Sequence, residues 1–382
     1  MYQLSFSLDS FLAEFWHKKP TIIKGGFARF EDPISPEELA GLTMEEEVDS
    51  RYVSNFDNKW IAEHGPFDEA KFSQLPASHW QLIVQAANHW HEGVAELSHA
   101  FKHLPQWLFD DLMICYSETG GGVGPHIDQY DVFIIQGSGK RHWRVGDKDV
   151  GQYKETQRAA ALRQIEGFDA IIDDILEPGD ILYIPPGFPH EGVALEPSMS
   201  YSMGYRSPKE QELVSNFADY VLAHDIGDVH LHNPNLKTQA QHGEILSSDL
   251  TLLTEMLTRA IEEPDTLKDF MGSMLSQSRH QLALYPPEDV WQSEEISLQL
   301  ANEVTFMKVS GLRALYNESE PCVAYIDGNM FKVDLEQQDF LHRLCNSDTL
   351  SALDFNRPIG SADIALLTDL VNKGYWYCDE QV

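Results

Sequence analysis

Three residues of this 382-residue chain have the types and the spacing needed to hold a metal ion. His126 and Asp128 stand two positions apart, and on a β-strand such residues project from the same face. His190, in a Pro/Gly-rich stretch, supplies a second imidazole. Two nitrogens and one carboxylate on one side of an octahedral ion suit Fe(II) and the activation of O2 beside a chelating co-substrate. The alternative is a surface His–Asp pair, which is common by chance.

A strand-like segment after the turn Gly137–Gly139 carries a candidate anion-binding residue. Alternation places Arg141 and Trp143 on one face of the strand, and Lys140 and His142 on the other. A cation that faces a protein interior is costly unless it meets an anion. Because a guanidinium binds carboxylates through two parallel hydrogen bonds, Arg141 is predicted to hold a co-substrate carboxylate. The alternative is a solvated or salt-bridged arginine on an edge strand.

The segments that must position these residues are short apolar runs bounded by turn residues, which is the pattern of a small antiparallel barrel. On the closing strand, Ser200 and Ser202 alternate with apolar residues and are predicted to line one pocket. Before the barrel, a helix is expected around Trp80–Leu97. The barrel strands are expected at Leu112–Tyr116, Asp131–Gln136, Arg141–Val145, Ala170–Ile172, Asp180–Ile184 and Ser200–Tyr205.

After Pro208 the apolar residues take up helical spacing, which Leu253 and Leu257 exemplify. A further helix is expected after Pro264, with Asp265 as its N-cap. Each apolar stripe either packs into the core of one chain or forms a core shared by two chains. A homodimer is the expected state.

The chain is therefore predicted to be an α+β protein with three domains. They are a barrel domain (1–208), a helical dimerisation region (209–285) and a winged-helix-like domain (286–382). Many winged helices bind DNA, but residues 286–382 carry 17 acidic and 6 basic side chains. A surface that binds phosphates needs the opposite balance, so no direct DNA binding is expected.

The whole chain is strongly acidic, with 61 acidic and 27 basic residues and a net charge of −34. Such a surface attracts basic partners and repels nucleic acids. The alternative is that the charge serves solubility alone. The sequence shows neither a secretory signal nor a membrane span. The cysteines lack CxxC pairing and are expected to be reduced thiols of a cytoplasmic protein; they are Cys115, Cys322, Cys345 and Cys378.

The order of these motifs resembles the JmjC-type, cupin-fold oxygenases that depend on Fe(II) and 2-oxoglutarate. The His-x-Asp pair is followed, fifteen positions after His126, by the basic residue Arg141, and then by Pro178-Gly-Asp180 and Ile184-Pro-x-Gly-x-x-His190. This order is similar to that of the ribosomal oxygenase branch, and the similarity extends over almost the whole chain.

The resemblance implies roles for particular residues. His126, Asp128 and His190 stand where the family places its iron ligands. Arg141 stands where most members have a lysine that binds the distal carboxylate of 2-oxoglutarate. This arginine departs from the wider family but is typical of its bacterial branch.

Further residues are implied on the strand before the metal ligands. Met113, Cys115 and Ser117 are assigned to the co-substrate side. Ser117 is the better candidate for a hydrogen bond to its carboxylate. Many relatives have a hydroxyl in place of the Cys115 thiol, so the resemblance leaves the role of Cys115 open. The residues assigned to the substrate are Tyr130, Asp111 and Ser202. The alternative for Asp111 is that, with its neighbour, it ends a helix or faces water.

The expected activity is therefore hydroxylation of an arginine side-chain carbon in the sixteenth protein of the large ribosomal subunit, with release of succinate and CO2. Histidine hydroxylation or N-methyl demethylation would use the same cofactor and O2, so the residues leave those reactions open. A cupin that binds metal without catalysis is the alternative from another class. It would have no need for Arg141.

Overall fold

The computed structural model describes residues 2–159 and 162–378. They form two compact units, one made of residues 2–159, 162–207, 278–312 and 348–378, and the other of residues 208–277 and 313–347. The division into domains 1–208, 209–285 and 286–382 stays a prediction. In the part of the chain that the structure describes, no helix is both long and apolar enough to cross a bilayer.

The helices and strands follow one another in mixed order along the chain. The α-helices are α1 (Leu8–Glu14), α2 (Pro36–Leu42), α3 (Glu69–Phe72), α4 (Glu92–Ser98), α5 (Glu210–Ala223), α6 (Ser247–Glu262), α7 (Pro264–Ser276), α8 (Ser293–Ala301), α9 (Gln338–Asn346) and α10 (Ser361–Asn372). The strands of the barrel region are β1 (Thr21–Ile23), β2 (Ser50–Ser54), β3 (Ile61–His64), β4 (Trp80–Val84), β5 (Phe109–Ser117), β6 (His126–Ile127), β7 (Asp131–Gln136), β8 (Arg141–Gly146), β9 (Glu155–Ala159), β10 (Leu162–Ile165), β11 (Ala170–Leu176), β12 (Ile181–Ile184), β13 (Pro189–Ala194) and β14 (Ser198–Tyr205). The later strands are β15 (Phe306–Lys308), β16 (Ala314–Asn317), β17 (Glu320–Ile326), β18 (Asn329–Lys332), β19 (Thr349–Leu350) and β20 (Trp376–Tyr377).

Two antiparallel sheets form the barrel of the first unit. One has eight strands in the order β1-β12-β7-β14-β5-β4-β2-β3, and the other has four in the order β11-β8-β13-β6. They pack face to face, because Val132 and Ile134 of β7 share a buried cluster with Trp143 and Val145 of β8. The opposite face of the eight-stranded sheet is covered by helices, among them α1 and α4.

The side-chain pattern of β14 explains how this barrel has a polar interior. Met199, Tyr201 and Met203 project toward the helices and are completely buried there. The alternate residues Ser198 and Ser200 project to the other face, between the two sheets. Apolar residues thus hold the strand against the helices, and serines remain available to bind polar groups.

Two expectations for the helices were wrong. Instead of one helix over Trp80–Leu97, the chain forms strand β4, a 3-10 turn at Ala87–His89 and helix α4. β4 consists of large apolar residues and Gln81, all of them buried between β2 and β5, so that tertiary burial overrides any helical spacing. Helix α7 begins at Pro264 with Glu263 as its N-cap, and Asp265 lies in its first turn.

The second unit combines helices α5, α6, α7 and α9 with the three-stranded sheet β16-β17-β18. Helix α7 lies close to this sheet because Gly272 has no side chain: a Cβ there would lie 2.3 Å from the Tyr325 ring. The Tyr325 hydroxyl donates a 2.6 Å hydrogen bond to Asp269. In contrast, no residue of α5 or α6 is buried, and Leu253 and Leu257 are 49% and 65% exposed.

Candidate active site

Strand pairing brings the three predicted metal ligands together. In the antiparallel pair of β6 and β13, His126 is the direct partner of His190. Asp128 follows β6, and its Oδ2 lies 3.9 Å from His126 Nε2 and 3.6 Å from His190 Nε2. The ligand atoms of all three residues lie within 4.8 Å of one another, close enough to bind one ion.

Both imidazoles are oriented by hydrogen bonds to the backbone. With Nδ1 as the donor, His126 binds the Gly124 carbonyl at 2.9 Å and His190 binds the Phe188 carbonyl at 3.1 Å. The Nε2 lone pairs therefore face the shared position. Burial, reinforced by the neighbouring His126, lowers the pKa of His190 to about 4, so that this ring is neutral near pH 7, as a metal ligand must be.

Arg141, on β8, is a buried cation that is 3% exposed. Its Nε donates to the Ser198 hydroxyl at 3.1 Å, and its Nη2 donates to the Ser117 hydroxyl, which in turn donates to Gln81 at 3.0 Å. Burial lowers the pKa of Arg141, and no carboxylate of the described residues pairs with it. A guanidinium that meets only neutral groups inside a barrel is suited to an anionic ligand.

The paired strands β5 and β14 line the pocket with one continuous face. The residues that share this face are the register pairs Ser117 and Ser198, Cys115 and Ser200, Met113 and Ser202, and Asp111 and Gly204. The predicted pocket residues of both strands are therefore brought together. Cys115 lies on the same face as these serines, and burial raises the pKa of its thiol, so that it is a neutral neighbour of the Arg141 cation.

Asp111 ends this face opposite the Arg141 end and is itself buried, at 5% exposure. Its Oδ2 accepts hydrogen bonds from Gln85 Nε2 at 2.7 Å and from the Ala86 amide at 2.9 Å. A Cβ on Gly204 would lie 3.4 Å from Asp111 Oδ1 and 3.7 Å from the Tyr130 ring, so the carboxylate and the phenol face each other across this glycine. The alternatives of a helix end or a surface position for Asp111 are thus wrong.

Burial controls the protonation of both residues at this end of the face. It raises the pKa of Asp111, an effect opposed by the nearby His280 and the two hydrogen bonds. It also raises the pKa of Tyr130, and the carboxylates of Asp128 and Asp111 raise it further. Tyr130 is therefore a neutral phenol at physiological pH. A buried carboxylate beside an aromatic ring is suited to a cationic ligand.

Several residues near the pocket were missed in the sequence. Gln85 directly follows β4, where the incorrect helix assignment hid it. Arg279 binds Asp110 at 3.1 Å, and His280 lies with Asp110 and Asp111 in a group whose ligand atoms are within 4.8 Å of one another. These two contacts join residues 169 or more positions apart, so no local pattern could have indicated them.

Trp143 separates the Arg141 end of β8 from the metal ligands. Its ring centroid lies 6.3 Å from that of His190, and its partner on β13 is Gly192, where a Cβ would lie 2.6 Å from the indole. The indole N–H is buried and has no hydrogen-bond partner among the described residues. The indole N–H is therefore a further hydrogen-bond donor inside the barrel. Alternation along the strand had predicted that Trp143 lies on the same face as Arg141.

Two models of known protein families match separate parts of the chain. The JmjC domain model matches residues 96–213, and the ROXA-like winged helix model matches residues 255–377. These matches confirm the predicted α+β architecture of a JmjC cupin barrel with a winged helix toward the C-terminus.

Relatives extend over nearly the full length. The ribosomal protein uL16 3-hydroxylase of Escherichia coli is 46% identical over 98% of this chain and 99% of its own. A probable ribosomal oxygenase of Haemophilus influenzae is 29% identical, covering 96% and 89%. Among solved structures, E. coli ycfD superimposes with a TM-score of 0.93 at 45% identity, covering 99% of this chain and all of its own. A structure of that ribosomal oxygenase with cobalt and 2-oxoglutarate has a TM-score of 0.91 at 44% identity, covering 99% and 100%.

The geometry of the three ligands predicts how the protein responds to a divalent ion. Co(II) should raise the melting temperature of the wild type, since an ion that binds only the folded state adds about 2.7 kcal/mol at a concentration of 100 Kd. Asp128→Ala, which removes the only carboxylate of the triad, should lose most of this stabilisation in a thermal-shift titration.

Asp173→Ala is the matched control, because it also removes a carboxylate that contacts a histidine, here the half-buried His142 at 2.6 Å. This variant should respond to Co(II) as the wild type does. An undiminished Co(II) response of Asp128→Ala would contradict the assignment of the triad.

Proposed function

Because this chain belongs to the JmjC-domain ribosomal oxygenases, we propose that it hydroxylates an arginine side-chain carbon of the ribosomal protein uL16. The observation that carries this proposal is the single inner face of β5 and β14. It runs from a buried cation, Arg141, to a buried carboxylate, Asp111, beside the three metal ligands. An anionic co-substrate and a cationic substrate therefore each have a complementary end of one pocket.

The cofactors follow from the family and fit the residues present. Fe(II), with 2-oxoglutarate and O2, supplies the oxidation that converts a C–H bond into C–OH while 2-oxoglutarate becomes succinate and CO2. His126, Asp128 and His190 would hold the iron from one side, which leaves the other side for ligands. Arg141 would bind the distal carboxylate of 2-oxoglutarate, assisted by the Ser117 hydroxyl.

The protein substrate would meet the opposite end of the face. The Asp111 carboxylate accepts the N–H groups of the target guanidinium, and the Tyr130 ring packs beside it. Met113 and Ser202 form the register pair next to Asp111 and line the path between it and the co-substrate. Asp111 and Tyr130 would contribute to catalysis by orienting the substrate, because the position of the bound guanidinium determines which side-chain carbon approaches the metal.

The charge of the chain supports a basic protein as the substrate. A net charge of −34 attracts ribosomal proteins, which bind RNA through lysine and arginine, and it disfavours nucleic acid as the target. We place the reaction in the cytoplasm, where a free ribosomal protein is accessible before assembly. The acidic balance of residues 286–382 supports a winged helix that does not bind DNA.

The exposed stripe of α6 supports a homodimer formed by the helical region 209–285. Leu253 and Leu257 lie one turn apart, and both side chains are exposed among the described residues. An exposed apolar stripe on an amphipathic helix is stabilised when the same stripe of a second copy covers it.

The role of Arg141 can be measured apart from the protein substrate. Arg141→Ala should weaken 2-oxoglutarate binding by about 1.5–3 kcal/mol, the contribution of a hydrogen bond to a charged group, in calorimetry with Co(II) present. Arg141→Lys keeps the charge but loses the two parallel N–H donors of the guanidinium, so its affinity for 2-oxoglutarate should lie between those of the wild type and Arg141→Ala. Lys140→Ala is the control, because Lys140 is exposed and paired with Glu177. Wild-type affinity in Arg141→Ala would exclude this anchor.

The proposed substrate is tested by incubating the iron-loaded protein with 2-oxoglutarate and purified uL16, and searching for an arginine peptide heavier by one oxygen. Asp111→Asn should lose hydroxylation by roughly two orders of magnitude, since removing one partner of a buried charge pair costs about 2–5 kcal/mol. Its slow turnover of 2-oxoglutarate without substrate should persist. The surface variant Asp173→Asn should behave as the wild type, and full hydroxylation by Asp111→Asn would contradict the assignment.

The dimer is tested by placing charges on the stripe. Leu253→Glu combined with Leu257→Glu should convert a particle of twice the 43.4 kDa chain mass into a monomer in analytical ultracentrifugation. Leu298→Glu, at a leucine of α8 that is 60% exposed, is the matched control and should leave the mass unchanged. A wild-type protein that sediments as a single chain at micromolar concentration would rule the dimer out.

A further inference from the structure

Gln85 links two oppositely charged residues at the substrate end of the pocket. Its Nε2 donates to Asp111 Oδ2 at 2.7 Å, and its Oε1 accepts from Arg51 Nη2 at 3.0 Å. The Gln85 backbone amide is fixed as well, since it donates to the Asp49 carbonyl at 2.9 Å. One amide side chain therefore stands between a carboxylate and a guanidinium.

These bonds determine which oxygen of Asp111 is available. Oδ2 is occupied by two donors, Gln85 Nε2 and the Ala86 amide. Oδ1 lies on the side of Gly204, where the missing side chain leaves room next to Tyr130. Because both donors grip the same oxygen, the carboxylate cannot rotate freely, and Oδ1 stays directed toward the space where a guanidinium would enter.

Arg51 is a positively charged side chain that lies close to the Asp111 carboxylate and could compete for it. It is half-buried on β2, and among the described residues its side chain hydrogen-bonds only to Gln85 and pairs with no carboxylate. Its positive charge reaches Tyr130 and Cys115, where it opposes the rise of both pKa values. A guanidinium of the chain itself thus lies one side chain away from the carboxylate that would bind the guanidinium of the substrate.

We propose that Gln85 is a positioning residue, which holds Arg51 away from Asp111 and presents Asp111 Oδ1 to the substrate arginine. This inference rests on the proposed function, because it gives Asp111 a guanidinium to bind. Its physical basis is competition: without the amide, Arg51 can form a direct ion pair with Asp111 and neutralise the carboxylate. The neutral amide satisfies both charged groups at once while keeping them apart.

A double-mutant cycle separates this role from simple support of the fold. Gln85→Ala should raise the KM for uL16 about tenfold, the effect of losing about 1.4 kcal/mol of binding, because Arg51 then occupies Asp111. Arg51→Met should remain near the wild type. The double variant should recover most of the affinity that Gln85→Ala loses, since no competing cation is left. The rate of 2-oxoglutarate turnover without substrate and the thermal response to Co(II) should be the same in all four proteins.

The proposal would be overturned if the KM increases of the two single variants combined in the double variant. It would also be overturned if Arg51→Met raised the KM for uL16 as much as Gln85→Ala does. A crystal structure of Gln85→Ala provides a readout that needs no substrate: Arg51 should lie within ion-pair distance of Asp111, and Arg51 left in place would contradict the inference. Gln85→Ser, which also removes the amide and leaves its space open, serves the same purpose if the alanine variant is unstable. If wild-type protein leaves uL16 unmodified while Arg51 moves in the crystal, the proposed substrate is wrong and the separation of charges by Gln85 stands.

Discussion

A charged group inside a barrel must be compensated, and the desolvation of Arg141 is the constraint on which the surrounding structure depends. Its guanidinium is buried, yet the described residues around it offer neutral acceptors in place of a carboxylate. The hydroxyls of Ser117 and Ser198 satisfy N–H groups without cancelling the charge. Small polar residues on β5 and β14 are therefore required at this depth, and the apolar residues of the same strands point to the helices on the other face. The strands obtain stability from one face and affinity for an anion from the other.

The two ends of the inner face have opposite charge requirements. An anion is favoured beside Arg141 and disfavoured beside Asp111, which already raises the pKa of Tyr130. A cation is favoured beside Asp111 and disfavoured beside Arg141, so electrostatics alone is sufficient to direct an anion and a cation to opposite ends of the face. The register pairs of Cys115 with Ser200 and of Met113 with Ser202 keep these ends apart and carry no charge of their own. The metal ligands belong to the facing sheet, on and next to β6 and β13, so the reacting groups meet between the two sheets.

The predictable part of the site is the part that follows from local periodicity. Alternation along single strands was sufficient to group Arg141 with Trp143 and Ser200 with Ser202, and motif order was sufficient to join His190 to the His126 pair. Three features escaped because they depend on pairing between distant segments. The segment of β4 was predicted as a helix, and it is a strand because β2 and β5 bury it. Gln85 gains its hydrogen-bond partners only because β2 and β5 flank that strand. Arg279 contacts Asp110 from a segment far along the chain. The apolar residues of α6 have helical spacing whether they pack into their own chain or against a second one. Their spacing alone therefore could not predict that they are exposed.

The cross-strand pairing of His126 with His190 makes the metal centre a test of correct strand alignment. Because successive residues of a strand point to opposite faces, slipping β13 by one position would turn His190 away from His126 and bring Pro189 or Glu191 into its place. A misaligned barrel would therefore lose the second imidazole of the triad, because neither Pro189 nor Glu191 supplies one. Ion binding then favours only the correct hydrogen-bond ladder between β6 and β13, so a newly made chain that binds iron has already aligned two strands that lie far apart in its sequence.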